Sequence, residues 1–114
     1  MLIGELSRRT GVSARLLRYY EEQGLLAADR GPNGYRAYAE DAETTVRQVR
    51  ALLRAGLTTD VIRAVLPCAR GELPEFDWCV DLREILDREL AAADARIDDL
   101  RRGRETLAGY LAAP

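Results

Sequence analysis

Arg15, Arg18, Tyr19 and Glu22 stand at i, i+3, i+4 and i+7 of a segment with helical periodicity, which places two guanidiniums and a phenol on one face. Guanidinium forks match phosphate oxygens and guanine edges, and a tyrosine hydroxyl adds a phosphate contact. The chemistry on offer is recognition of a polyanion rather than bond breaking. Tyr20, one step further round, is suited to the core or to a phosphate. Arg30, Arg36 and Tyr38 form a second cluster in which cations and aromatics interleave, suited to gripping a backbone or a minor groove. Of its tyrosines, Tyr35 is the better core candidate and Tyr38 the better contact.

The composition removes most competing chemistries. All 17 basic residues are Arg, and His is absent, so the commonest general base and the commonest metal ligand are both missing. Ser7, Ser13, Cys68 and Cys79 have no imidazole to activate them, and an enzyme is not expected. The net charge of −2 is uninformative, but its distribution is not. Residues 1–54 carry nine Arg against seven acids, a net of +2, and residues 55–114 carry eight against twelve, a net of −4. A basic partner surface therefore belongs to the first half. With 47% apolar and 32% charged residues in 114, the chain has the makings of a small folded domain plus one long element. It shows neither a long apolar run nor a signal peptide, and a cytoplasmic protein that binds no membrane is expected.

The elements that must position these side chains follow from periodicity and punctuation. Ile3 to Thr10 reads as a short helix stopped at Gly11, and Ser13 can cap a second helix running to Glu22 and closed by Gly24. Leu16, Leu17 and Tyr20 point to the core of that helix. Two helices joined by a short turn with Gly make a helix-turn-helix candidate. Asn33-Gly34, between short runs, predicts a two-stranded wing. Asp41 can cap a third helix to about Ala55, with Val46, Val49, Leu52 and Leu53 apolar and Arg47, Arg50 and Arg54 on the opposite stripe. Thr58 can cap a fourth, ended by Pro67.

Three regions result: a head over 1–66, a connector with two Cys over 67–79, and a long helix over 80–112. In the last, Leu86, Leu90, Ala93, Ile97, Leu100, Leu107 and Leu111 fall on alternating four- and three-residue steps, the seam of a coiled coil, interrupted by Arg104. Arg104 can pair with an acid of a partner helix or snorkel outward. Such a helix extends about 50 Å, more than a small head covers, so its stripe calls for a second chain. Gly103 and Gly109 predict a weakening, a bend or a close helix approach.

Ile3-Gly4-Glu5-Leu6, Gly11-Val12-Ser13, Leu17-Arg18-Tyr19-Tyr20-Glu21, Gly24-Leu25-Leu26 and Asn33-Gly34-Tyr35-Arg36-Ala37-Tyr38, in this order, resemble the MerR family of transcription regulators. The resemblance implies a mainly α fold, a winged helix-turn-helix head followed by a helix that forms an antiparallel coiled coil in a homodimer. It further implies a pseudo-palindromic promoter operator that the dimer bends and untwists, so that the spacing seen by RNA polymerase becomes the regulated quantity. Arg15, Arg18 and Tyr19 match the family's recognition-helix contacts, and Arg30, Arg36 and Tyr38 its wing contacts. Two alternatives stay open: an excisionase-like architectural factor that bends DNA without sensing, and an adaptor whose Arg/Tyr face docks an acidic protein.

Control by an effector is the least specified property. The family's drug sensors carry a large C-terminal ligand domain, which this sequence does not extend to, and its copper sensors a C-terminal loop of ligands that residues 109–114 do not contain. Cys79 sits near where the resemblance places a ligand of the family's mercury-type sensors, at the start of the dimerisation helix. Cys68 and Cys79 can hold a soft ion such as Cu(I) or Hg(II), form a reversible disulfide, or simply pack. Trp78, with Phe76, can wall a small apolar pocket or bury a junction.

Overall fold

The computed structural model describes residues 1–31, 33–72 and 75–113. They form two compact units, Met1–Trp78 and Cys79 onward.

In the first unit, α1 spans Ile3–Thr10 and ends where Gly11 turns left-handed at φ 72°, its amide donating to the Ser7 carbonyl. Thr10 Oγ1 donates to the Leu6 carbonyl and accepts from the Val12 amide, fastening the turn. α2 spans Ala14–Glu22, and Ser13 Oγ accepts the Leu16 amide at its start. Gly24, at φ 74°, closes it, and the Leu25 amide returns to the Tyr20 carbonyl. α3 spans Ala42–Arg54 and α4 Thr59–Val65, the latter capped by Thr58 Oγ1 on the Val61 amide. Asp41 precedes α3 as expected, but its side chain makes no capping bond.

α1 packs on α2 and α3, and α3 on α4. The core between them is Leu6, Val12, Leu17, Tyr20, Leu25, Leu26, Val46, Val49, Leu52, Ile62 and Val65. Two expected core residues are not in it: Leu16 and Leu53 are partly exposed, because each lies at the edge of its helix's apolar stripe.

The wing pairs β1 (Asp29–Arg30) with β2 (Arg36–Ala37), antiparallel, in register Asp29 with Ala37 and Arg30 with Arg36. Asn33-Gly34 lies in its connecting loop, but not as a two-residue turn. The Gly31 amide bonds to the Tyr35 carbonyl and the Gly34 amide to the Gly31 carbonyl, so the loop is longer, with Gly34 at φ 77°. Met1 and Tyr38 exchange backbone bonds, each 2.7 Å, which ties the far end of the wing to the start of α1.

The connector is more ordered than its Pro and Gly suggested. After a 3₁₀ turn at Leu66–Cys68, β3 (Ala69–Arg70) pairs with β4 (Glu75–Phe76), and this second hairpin belongs to the first unit. Ala69 is buried, Gln48 Nε2 donates to the Gly71 carbonyl, and Arg47 bonds the Glu72 carboxylate. The first compact unit runs on through this hairpin to Trp78.

The second unit is one helix, α5, over Val80–Ala112, uninterrupted at Gly103 and Gly109. Leu90, Ile97, Leu100, Leu107 and Leu111 are exposed, Leu111 at 88%, whereas Leu86 and Ala93 are half-buried and Leu82 is buried. None of the helices among the described residues is long and apolar enough to cross a membrane.

Candidate nucleic-acid interface

α2 is clamped from below by Leu17 and Tyr20, both essentially inaccessible, and at its start by the Ser13 cap. Its opposite face carries Arg15, Arg18, Tyr19 and Glu22, all exposed, in the arrangement their spacing predicts. Tyr20 takes the core role rather than the phosphate-facing one, with 2% of its surface accessible.

The arginines of the first half sort into two sets. Arg9 bonds Glu5 at 2.7 Å and reaches Glu40 and Glu43. Arg47 bonds Glu43, Glu72 and the Arg9 carbonyl, and Arg50 donates to the Thr10 carbonyl. Arg47 and Arg50 thus cap the C-terminal carbonyls of α1 across the fold, satisfying acceptors that a helix end leaves open. By contrast Arg8, Arg15, Arg18, Arg30 and Arg54 are exposed, and none makes a hydrogen bond or ion pair with the described residues. The unpaired cations include the recognition-face pair Arg15 and Arg18 and the wing residue Arg30. Arg36 is intermediate: its Nε sits 3.2 Å from Glu21 Oε2, which fastens β2 to α2.

The wing tyrosines are placed in the reverse of the expected order. Tyr38 is 3% exposed and belongs to the core, whereas Tyr35 is 69% exposed at the wing loop. Three residues apart in an extended segment, the two point to opposite faces, and the Met1–Tyr38 backbone pairing turns Tyr38 inward. Tyr38 is therefore not available as the wing contact expected of it, and Tyr35 is the aromatic the wing presents. The Tyr38 hydroxyl finds no hydrogen-bond partner among the described residues.

Burial raises the Tyr38 phenol above its ordinary value, Glu21 adds to the rise, and Arg36 and Arg18 oppose it. Burial also raises Tyr20, with Arg50 opposing. A folded value above the unfolded one means stability present below about pH 10 and lost as pH rises through the raised values. Denaturant midpoints are expected to hold to about pH 10 and then fall, with the phenolate absorbance of Tyr20 and Tyr38 appearing above the ordinary phenol value. Tyr38→Phe removes an unpartnered hydroxyl and is expected to raise stability by about 1 kcal/mol and leave DNA affinity unchanged. A loss of affinity on anisotropy titration would return Tyr38 to the interface.

Cys68 is half-buried in the 3₁₀ turn, and Cys79 is exposed, its Sγ accepting the Leu82 amide at 3.5 Å as the N-cap of α5. Neither is in a disulfide. Among the described residues no group of three or more Cys, Asp or Glu side chains converges to hold a metal. Trp78 is exposed and its ring lies 5.7 Å from that of Phe76, tilted by 58°.

Residues 1–68 match the family model of the MerR HTH family regulatory proteins. The chain belongs to the MerR family. The HTH-type transcriptional regulator HmrR of Rhizobium leguminosarum bv. viciae is 36% identical over 110 residues, covering 94% of this chain and 81% of that protein. The heavy metal-dependent transcription regulator 2 of Rhizobium meliloti strain 1021 is 34% identical over 115 residues, covering 96% and 76%. The solved structure of PbrR691 from Ralstonia metallidurans CH34, in complex with lead(II), superposes with a TM-score of 0.78 at 25% identity, covering 96% of this chain and 83% of that one. As a MerR-family chain it is a DNA-binding transcription regulator and not an enzyme. The winged helix-turn-helix head and long C-terminal helix are the fold of that family.

Proposed function

We propose that the chain acts in the cytoplasm as a homodimer on a pseudo-palindromic promoter operator, which it bends and untwists at a promoter engaged by RNA polymerase. α2 enters the major groove and the wing follows the adjacent backbone. The observation that carries this reading is the set of exposed guanidiniums without protein partners on α2 and the wing, Arg15, Arg18 and Arg30, on a face whose helix is rigidly capped and cored from behind. Arginines with protein partners serve the fold; these have none among the described residues, and phosphates or guanine edges satisfy them. Arg36 and Tyr19 complete the face, the one held by Glu21 and the other partly exposed.

The dimer follows from α5. Its row of exposed leucines and isoleucine is too long and too apolar for solvent, and an antiparallel partner helix covers it through Leu86, Leu90, Ala93, Ile97, Leu100, Leu107 and Leu111. Two heads held apart by such a coil read two half-sites, and strain in the DNA between them is what control acts on. The deciding experiment is fluorescence anisotropy of the purified chain with a duplex taken from upstream of its own gene. Tight, competitor-resistant binding that weakens steeply with salt is expected. Binding to a partner protein with no salt-steep DNA affinity would favour an adaptor instead.

A further inference from the structure

A cleft of about 480 Å³ opens between α3, α4 and the second hairpin, a size usual for small-molecule sites. It is separate from the DNA-reading face, since Arg15, Arg18, Tyr19, Arg30 and Arg36 do not line it. Its walls divide by charge. Asp41, Thr44 and Gln48, at the start and on one side of α3, supply acceptors. The Asp41 carboxylate caps nothing, and neither it nor the Thr44 hydroxyl has a hydrogen-bond or ion-pair partner among the described residues. Gln48 is only 7% exposed, and its Nε2 is spent on the Gly71 carbonyl at 3.0 Å. Its Oε1 has no partner among the described residues and is not sealed from solvent as the Tyr38 hydroxyl is, so it opens to the cleft that Gln48 lines. An acceptor at that depth costs free energy unless water or a ligand meets it. The wall from α4 and the hairpin carries Arg63 and Arg70. Their partners, Asp60 and Asp77, stand outside the cleft with side chains 86% and 67% exposed, and pairs so exposed hold a guanidinium weakly. Leu66 and the buried Ala69 add apolar surface.

We infer that this cleft binds a free α-amino acid with an aliphatic side chain, its ammonium on Asp41 and the Gln48 oxygen and its carboxylate on Arg63, and that its occupancy regulates DNA binding. The regulatory half rests on the DNA reading of α2. A zwitterion matches a cleft whose acceptors come from one element and whose guanidiniums come from others, whereas a plain anion leaves Asp41 and Gln48 unmet. Arg63 is the link to α2. Its Nε donates at 2.7 Å to the carbonyl of Gln23, the residue that ends α2, and it passes Gly24 so closely that a β-carbon there would meet Nε at 3.3 Å. A carboxylate drawing on Arg63 therefore acts on the turn that closes the reading helix. By linkage, ligand and DNA change each other's affinity by the same factor.

The test follows amide NMR of the isotope-labelled full-length chain with L-leucine and L-valine, and with two leucine analogues: isocaproate, which lacks the ammonium, and isopentylamine, which lacks the carboxylate. Either amino acid at millimolar concentration is expected to shift the Gly24 and Gly71 amides and the Gln48 side-chain amide, and neither analogue to do so at the same concentration. Asp41→Asn keeps a residue suited to the start of α3, so its melting temperature is expected to stay that of the parent while amino-acid affinity falls about tenfold. Anisotropy of the upstream duplex is expected to change at least about fivefold in affinity when the amino acid is added to the parent, and less for Asp41→Asn. No shift with either amino acid, shifts confined to residues away from the cleft, or equal shifts from isocaproate would overturn the site. Shifts at the cleft with an unchanged duplex affinity would overturn the regulatory half. A chain that binds no upstream duplex at all would fail the DNA reading, and the amide shifts would still decide the site.

Discussion

Arg18→Ala is expected to weaken operator binding by roughly 5- to 150-fold, the about 1–3 kcal/mol that a guanidinium contact to a base edge or phosphate supplies. Arg18 is exposed on α2 and makes no hydrogen bond or ion pair with the described residues, so its loss is expected to leave the helix intact. What holds α2 is elsewhere: the Ser13 cap, the buried Leu17 and Tyr20, and the return of the Leu25 amide to the Tyr20 carbonyl. Melting temperature and dimer content should therefore stay those of the parent while anisotropy titrations shift. Arg47→Ala makes the contrast. It removes bonds to Glu43, Glu72 and the Arg9 carbonyl, and it is expected to lower stability with little effect on DNA contact beyond that. An unchanged affinity for Arg18→Ala would remove α2 as the reading element.

Leu100→Asp is the second large expected effect. Leu100 is 74% exposed in the single chain, in the middle of a seam that runs from Leu86 to Leu111. In a symmetric dimer one substitution acts twice, placing two carboxylates in an apolar seam where an unpaired buried charge costs several kcal/mol. The expected result is a monomer on gel filtration, with α5 losing helix signal because its apolar stripe is no longer covered. The first unit, Met1–Trp78, has its own core and should keep its cooperative melt. Operator affinity should then fall by about 10²–10⁴, the advantage of linking two half-site contacts. A monomeric parent chain would contradict the role given to α5.

Helices with strong local punctuation were legible before any coordinates. Gly11, Ser13, Gly24 and Thr58 mark the ends of α1, α2 and α4 where they fall, because each acts through bonds to residues within one turn. α5 was legible because a heptad repeat needs no tertiary information. What long-range packing decides was not. The inward turn of Tyr38 depends on its pairing with Met1, 37 residues away, and the outward turn of Tyr35 follows from it. Arg47 and Arg50 read as a solvated stripe, yet they close the end of α1 from 38 and 40 residues away. The β3–β4 hairpin hid in a segment read as a linker. Its strands are two residues each, too short for alternation to show, and Ala69-Arg70 and Glu75-Phe76 on either side of Gly71 were the only signal.

The sharing of roles among the arginines links fold to function. Partnered ones lock α1, α3 and the second hairpin into one body, whereas Arg15 and Arg18 on α2 and Arg30 on the wing have no hydrogen-bond or ion-pair partner among the described residues, so the same residue type makes both scaffold and surface. In the proposed function, two such surfaces, joined through α5, grip and distort one operator. Hydroxyl-radical footprinting of the parent chain on the duplex from upstream of its gene tests this most directly. Two protected half-sites related by a dyad, with altered reactivity in the unprotected base pairs between them, are the expected result. A single protected patch, or even cleavage between the half-sites, would contradict it.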